Sequence, residues 1–203
     1  ESIMSSRSTS SAVFACVAAG VLLCESSPLG AQWFKYPTAG VPRSIDGKAN
    51  LTAPTPRTPD GKPDFSGMWN GSADLGPEES AALPWAAEIK KQRFANNFKD
   101  APSGLCLPGE IFPSSPTLYR FVQTPSFLVQ LTEDQPSHRL VFLDGRPHPK
   151  DPDPSWKGHS IGKWEGETLV VDTVGFNDKS WLPDGLPHTE MLHVVERYSR
   201  PDL

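Results

Sequence analysis

Two hydrophobic patterns divide this chain. Residues 12–24 form an unbroken apolar run of about 13 positions, whereas from Arg120 onward apolar and polar residues alternate with a period of two. The alternation predicts strands in "RFVQTPSFLVQLTE" and "HRLVFLDG". A four-residue loop at 134–137 would pair Glu133 with His138, Leu131 with Leu140 and Val129 with Phe142. The densest stretch, "GHSIGKWEGETLVVDTVGFND" at 158–178, reads as a hairpin with strands at 160–164 and 167–174. Turned at Glu165-Gly166, it would set Trp164 opposite Glu167, Gly162 opposite Leu169, Ile161 opposite Val170 and His159 opposite Asp172. A last strand is predicted at 190–198, with Met191, His193, Val195 and Arg197 on one face.

Helical spacing occurs once, in "PEESAALPWAAEIKKQRFANNFKD". Pro84 breaks it, leaving a main helix near 85–98 whose stripe of Trp85, Ile89, Phe94 and Phe98 is imperfect, so the helix should lie on a surface. "GRPHPKDPDPSWK" carries four prolines and reads as a stiff loop between strands. Residues 32–64 are Pro-rich and weakly apolar, an extended arm ahead of a single β-rich domain at 65–203.

The apolar run at 12–24 follows Met4 and Arg7 and precedes the small residues Gly30 and Ala31, so residues 1–31 read as a signal peptide with upstream residues. Its length falls short of the roughly 20 residues of a spanning helix, which argues against a permanent membrane span. The expected location is therefore periplasmic or extracellular. A bulky Leu23 before Cys24 argues against lipid attachment there. Cys106 then remains as a lone thiol, expected to be small, buried and in a loop, and no disulfide framework is available. A net charge of −5 gives nucleic-acid binding no electrostatic support.

Candidate chemistry rests on the hairpin at 158–178. A carboxylate beside an imidazole fixes its tautomer and raises its basicity, so His159 and Asp172 are the candidate catalytic pair, provided the register holds. Trp69, Trp164 and Trp181 offer apolar surface with a polar handle, and His148 and His193 offer polar contacts near loops. These five are the candidate ligand-binding residues. No zinc-helix motif occurs, and neither a metal nor a cofactor is expected. The leading expectation is a binder of a small molecule or glycan in a β-rich pocket. The alternatives are an acid–base or metal-assisted enzyme using His159 and Asp172, and an interaction or assembly module working through exposed sheet edges.

Two resemblances bear on the fold. Gly67-x-Trp69 in "DFSGMW" resembles the G-x-W at the first strand of lipocalin-like barrels. More broadly, "RTPDGKPDFSGMW", "FLDGRPHPKDPDPSWKGHSIGKWEGETLVVDTVGFND" and "HTEMLHVVERYSRPD" resemble a family of exported, signal-peptide-bearing bacterial proteins to which no activity is attached. That resemblance implies a mostly β protein outside the cytoplasm. Members usually continue past the segment matching "RYSRPD", which implies a truncated C-terminus. The expected fold is mainly β, an antiparallel barrel or strongly curved sheet of seven or eight strands, lipocalin-like, with one packed helix.

Overall fold

The computed structural model describes residues 40–71, 82–109, 111–112, 117–133 and 137–202. The signal-peptide expectation at 1–31 lies outside them. The chain divides into two compact units, residues 1–49 and 50–203. The second is mainly β: among its described residues seven strands form one sheet curled into a half-barrel, with a single α-helix.

The strands are β1 (Gly67–Gly71), β2 (Thr117–Gln123), β3 (Phe127–Thr132), β4 (His138–Phe142), β5 (His159–Glu165), β6 (Thr168–Val174) and β7 (Val194–Tyr198), paired in chain order. All pairs are antiparallel except β4 and β5. These run parallel and share only Val141 opposite Ser160 and Phe142 opposite Ile161. A parallel neighbour needs a crossover, and the Pro-rich segment between Phe142 and His159 supplies it without a helix.

Both predicted hairpin registers are shifted by two residues. In the β5–β6 hairpin Glu165 still belongs to the strand and faces Thr168, so the loop is Gly166-Glu167, with Gly166 at φ 62°. A left-handed residue opens this turn, and glycine takes that conformation without a Cβ clash. His159 consequently faces Val174, and Asp172 faces Ile161, in place of the expected His159–Asp172 pair. In the β3–β4 hairpin Leu131 faces His138, and the Glu133 N–H donates to the Leu118 carbonyl on β2. A slip of two preserves which face each side chain occupies.

Alternate residues build the core, but in β3 and β4 it is Leu128 and Val141 that turn inward, while the paired apolar set Val129, Leu131, Leu140 and Phe142 lies on the opposite face. Phe121, Leu128, Val141, Leu169 and Val171 pack with Phe65, and Trp69, Tyr119, Leu143, Trp164 and Tyr198 surround them. The other face of the sheet carries His159, Ile161, Asp172, Val174 and Val195. The helix α1 (Pro84–Ala95) lies on the surface as expected, but ends earlier than residue 98 because Asn97 and Phe98 adopt positive φ. It docks through Lys90 to Asp184 and through Arg93, which donates to the Gly185 carbonyl and covers the Trp181 ring at 3.9 Å. Cys106 is exposed, contrary to expectation: it ends a 3-10 turn in the left-handed conformation between exposed Leu105 and Leu107.

Within the described part of the arm, residues 40–64, one turn recurs. "RSIDGKAN" at 43–50 and "RTPDGKPD" at 57–64 are spaced by 14 residues. In each the Arg donates to the Gly carbonyl (Arg43 to Gly47, Arg57 to Gly61), and the Ser or Thr hydroxyl to the Lys carbonyl (Ser44 to Lys48, Thr58 to Lys62). The second copy is held against the barrel: Arg57 pairs with Glu167 at 2.7 Å, Lys62 lies over Trp164, and Gln123 bonds the backbone of both Pro63 and Phe65.

Candidate functional site: a histidine–aspartate cluster on the outer face

Parity along β5, β6 and β7 brings three predicted residues to one patch. His159 opens β5, Asp172 lies on β6 one pair further along the same face, and His193 immediately precedes β7. The fourth, His148, comes from the β4–β5 crossover between Pro147 and Pro149. His148 Nε2 lies 3.1 Å from Asp172 Oδ1, and His148 Nδ1 lies 2.9 Å from His159 Nδ1. His193 Nε2 reaches the same Asp172 oxygen at 2.9 Å.

These contacts dictate tautomers. A carboxylate only accepts, so the Nε2 atoms of both His148 and His193 carry hydrogen. With His148 neutral, its Nδ1 is a bare acceptor, and the proton between the two rings belongs to His159 Nδ1. The neutral His159 ring then has its lone pair on Nε2. Hydrogen bonds thus run in one direction, from His159 through His148 to Asp172, and leave a base at the far end.

The surroundings favour the neutral form of His159. Phe142 stacks on its ring at 5.3 Å and 26°. Arg146 sits over Phe142 at 3.9 Å, its Nε and Nη2 held by Asp144. Burial lowers the pKa of His159, and the neighbouring His148 and Arg146 further disfavour a positive charge on it. Asp144 is held below the ordinary carboxylate value by its hydrogen bonds to Arg146.

The tryptophans lie elsewhere. Trp164 stacks on Phe65 at 5.8 Å and 11°, and Trp69 donates its Nε1–H to the Phe65 carbonyl while packing on Phe121. Trp181 is 6% exposed and covered by Arg93. None of the three is brought to the histidine cluster. Phe142 and Arg146 join it instead, and sequence reading had singled out neither; the β-pairing of Phe142 with Ile161 is what places them. His188, which the sequence left without a role, accepts from the buried Ser180 hydroxyl at 3.0 Å and bonds the Thr189 carbonyl.

Among the described residues, no group of three or more His, Cys, Asp or Glu side chains is disposed to hold a metal ion. In the cluster itself both His148 nitrogens, His159 Nδ1 and His193 Nε2 are engaged with one another and with Asp172. No helix among the described residues is long and apolar enough to cross a membrane. Comparison with protein-family models, curated proteins and solved structures gives no match for this chain.

Proposed function

We propose that this chain is an enzyme of general acid–base type, acting outside the cytoplasm, with His159 Nε2 as the base and His148 and Asp172 as its positioning residues. The observation that carries the reading is the one-directional run of hydrogen bonds from His159 through His148 to Asp172. A base must be unprotonated, aimed and fixed in tautomer, and these contacts supply the last two conditions. The lowered pKa of His159 supports the first.

The substrate class that suits the patch is a small ester or related acyl compound. His159 Nε2 takes a proton from water as its oxygen bonds to the carbonyl carbon. The carbon–oxygen bond to the leaving group then breaks, and the leaving oxygen receives that proton. Arg146, held by Asp144 through Nε and Nη2, supplies positive charge for the developing oxyanion. The leading expectation from sequence, a binder using tryptophan surfaces, draws less support, since those rings pack against the core or beneath Arg93.

Hydrolysis of small esters and lactones by the full chain tests this reading. The wild-type chain should turn over at least one of them, and His159→Gln should lower kcat/KM by about 10²–10⁴-fold while near-UV circular dichroism stays unchanged. Absence of turnover across the panel, or equal rates in the variant, would overturn it.

A further inference from the structure

Directly behind the cluster, on the core face, lies a second polar network. Arg139 on β4 is 6% exposed, and its Nε donates to Ser160 Oγ at 3.0 Å. Its Nη2 donates to Thr173 Oγ1 at 2.7 Å and to Glu196 Oε2. Ser160 and Thr173 bond each other at 2.9 Å and are fully buried, and the Tyr198 hydroxyl donates to the other Glu196 oxygen at 2.7 Å. One guanidinium therefore grips three successive strands, β5, β6 and β7.

The gripped residues are chain neighbours of the cluster. Ser160 follows His159, Thr173 follows Asp172, and Glu196 is three residues from His193. The β4–β5 seam is the weakest joint in the sheet, with two paired positions, and His148 hangs from the crossover that begins at its end. Backbone pairing alone leaves that seam poorly fixed. Side-chain bonds from Arg139 hold β4 level with β5 and β6, and hence hold the crossover that bears His148 level with His159 and Asp172.

We infer that Arg139 is a positioning residue of the outer-face site, setting from the opposite side of the sheet the contact between His148 and His159. This rests on the acid–base reading for its purpose, but not for its test. A core salt bridge kept only for stability would have no effect on the environment of an imidazole across the sheet once the protein is folded. A positioning residue would.

The test is nitrogen-detected NMR of the histidine side chains in the full chain, read as tautomer and as titration midpoint. His159 is faced by His148, Arg146 and Phe142, with Asp172 beyond His148, so its midpoint reports whether that enclosure is intact. In Arg139→Met/Glu196→Gln, which removes both charges together, the His159 midpoint should move up towards the ordinary imidazole value of about 6.5 and the single Nδ1–H tautomer should become mixed. Ser160→Ala/Thr173→Val keeps the ion pair and cuts only the grip on β5 and β6; it should shift His159 in the same direction by less. Trp69→Phe, a core change on β1 where the ring packs on Phe65 and Phe121, should lower stability and leave His159 unmoved. A His159 signal identical to wild type in a folded Arg139→Met/Glu196→Gln chain overturns the inference, as does one identical to wild type in Ser160→Ala/Thr173→Val should the first variant not fold. If His159 shifts as stated while the wild-type chain hydrolyses nothing, the positioning role stands and the proposed reaction fails.

Discussion

His159 and Asp172 lie one cross-strand pair apart on the same face of the β5–β6 hairpin, and His148 from the preceding loop joins them. The link depends on the ring having two nitrogens at its opposite edges, one for each partner. His148→Phe keeps a ring of similar size and removes both bonds. The variant should fold with wild-type stability within about 1 kcal/mol and lose roughly 10-fold or more in kcat/KM on any ester the wild type hydrolyses. Equal rates in the two proteins would show that His159 needs no partner.

The pH dependence follows from the lowered pKa of His159. Its neutral form persists below the ordinary imidazole value of about 6.5, so kcat/KM should rise with pH and reach half its maximum below that value. Stability carries the same sign. Between the lowered folded value and about 6.5 the unfolded chain binds more protons at this position, so the contribution is complete above about 6.5 and is lost as pH falls through the folded value. His159→Gln should flatten that part of a plot of urea midpoint against pH. A midpoint curve with unaltered slope would refute the assignment.

Gly158 fixes where β5 begins and hence where His159 stands. Its φ is 66°, and a Cβ there would meet Thr173 Cγ2 and the Val174 carbonyl oxygen at 2.8 Å. Gly158→Ala should cost about 1–3 kcal/mol in chemical denaturation and lower activity beyond that, since relief of the clash must move β5 away from β6. Gly166→Ala, with φ 62° but open space around it, should cost about 1 kcal/mol and leave activity unchanged.

Much of this was legible in the sequence because faces survive where registers do not. Period-two alternation placed His159 and Asp172 on one face, and His193 with Val195 and Arg197, and a register error of two could not undo that. The turn residue that sets register was misread: Glu165-Gly166 and Gly166-Glu167 contain the same glycine, and only its φ distinguishes them. The β4–β5 parallel pairing had no local signal, because a crossover through a Pro-rich loop resembles any loop. Arg139 was hidden for a related reason. An arginine in a strand reads as solvent-facing until its neighbours across three strands are known.

The repeated turn in the arm offers two copies of one local structure in different surroundings. Phe65, which follows the second copy, is 2% exposed and stacks on Trp164; Leu51, at the matching position after the first, is 67% exposed. Phe65→Ala should cost about 3–5 kcal/mol and Leu51→Ala no more than about 0.5 kcal/mol, as measured by urea unfolding. Comparable losses at the two sites would mean that the first copy is packed as firmly as the second.

The Arg139–Glu196 pair separates the cost of a charge from the worth of a bond. Glu196 raises the pKa of Arg139 against the opposing effect of burial, and burial together with Glu196 pushes the Tyr198 hydroxyl well above its ordinary value. Arg139 therefore stays charged throughout the accessible pH range, and its removal leaves the Glu196 carboxylate, 17% exposed, facing two buried hydroxyls without a cation. Arg139→Met alone should destabilise the chain by about 3–5 kcal/mol. Arg139→Met/Glu196→Gln should recover a large part of that loss, because the amide can still accept from Tyr198 and no charge is left buried. A thermodynamic cycle over the two single variants and the double variant measures the coupling. Additive losses would show that the two charges do not depend on each other, and that the strands are held by the hydroxyl contacts of Ser160 and Thr173 alone.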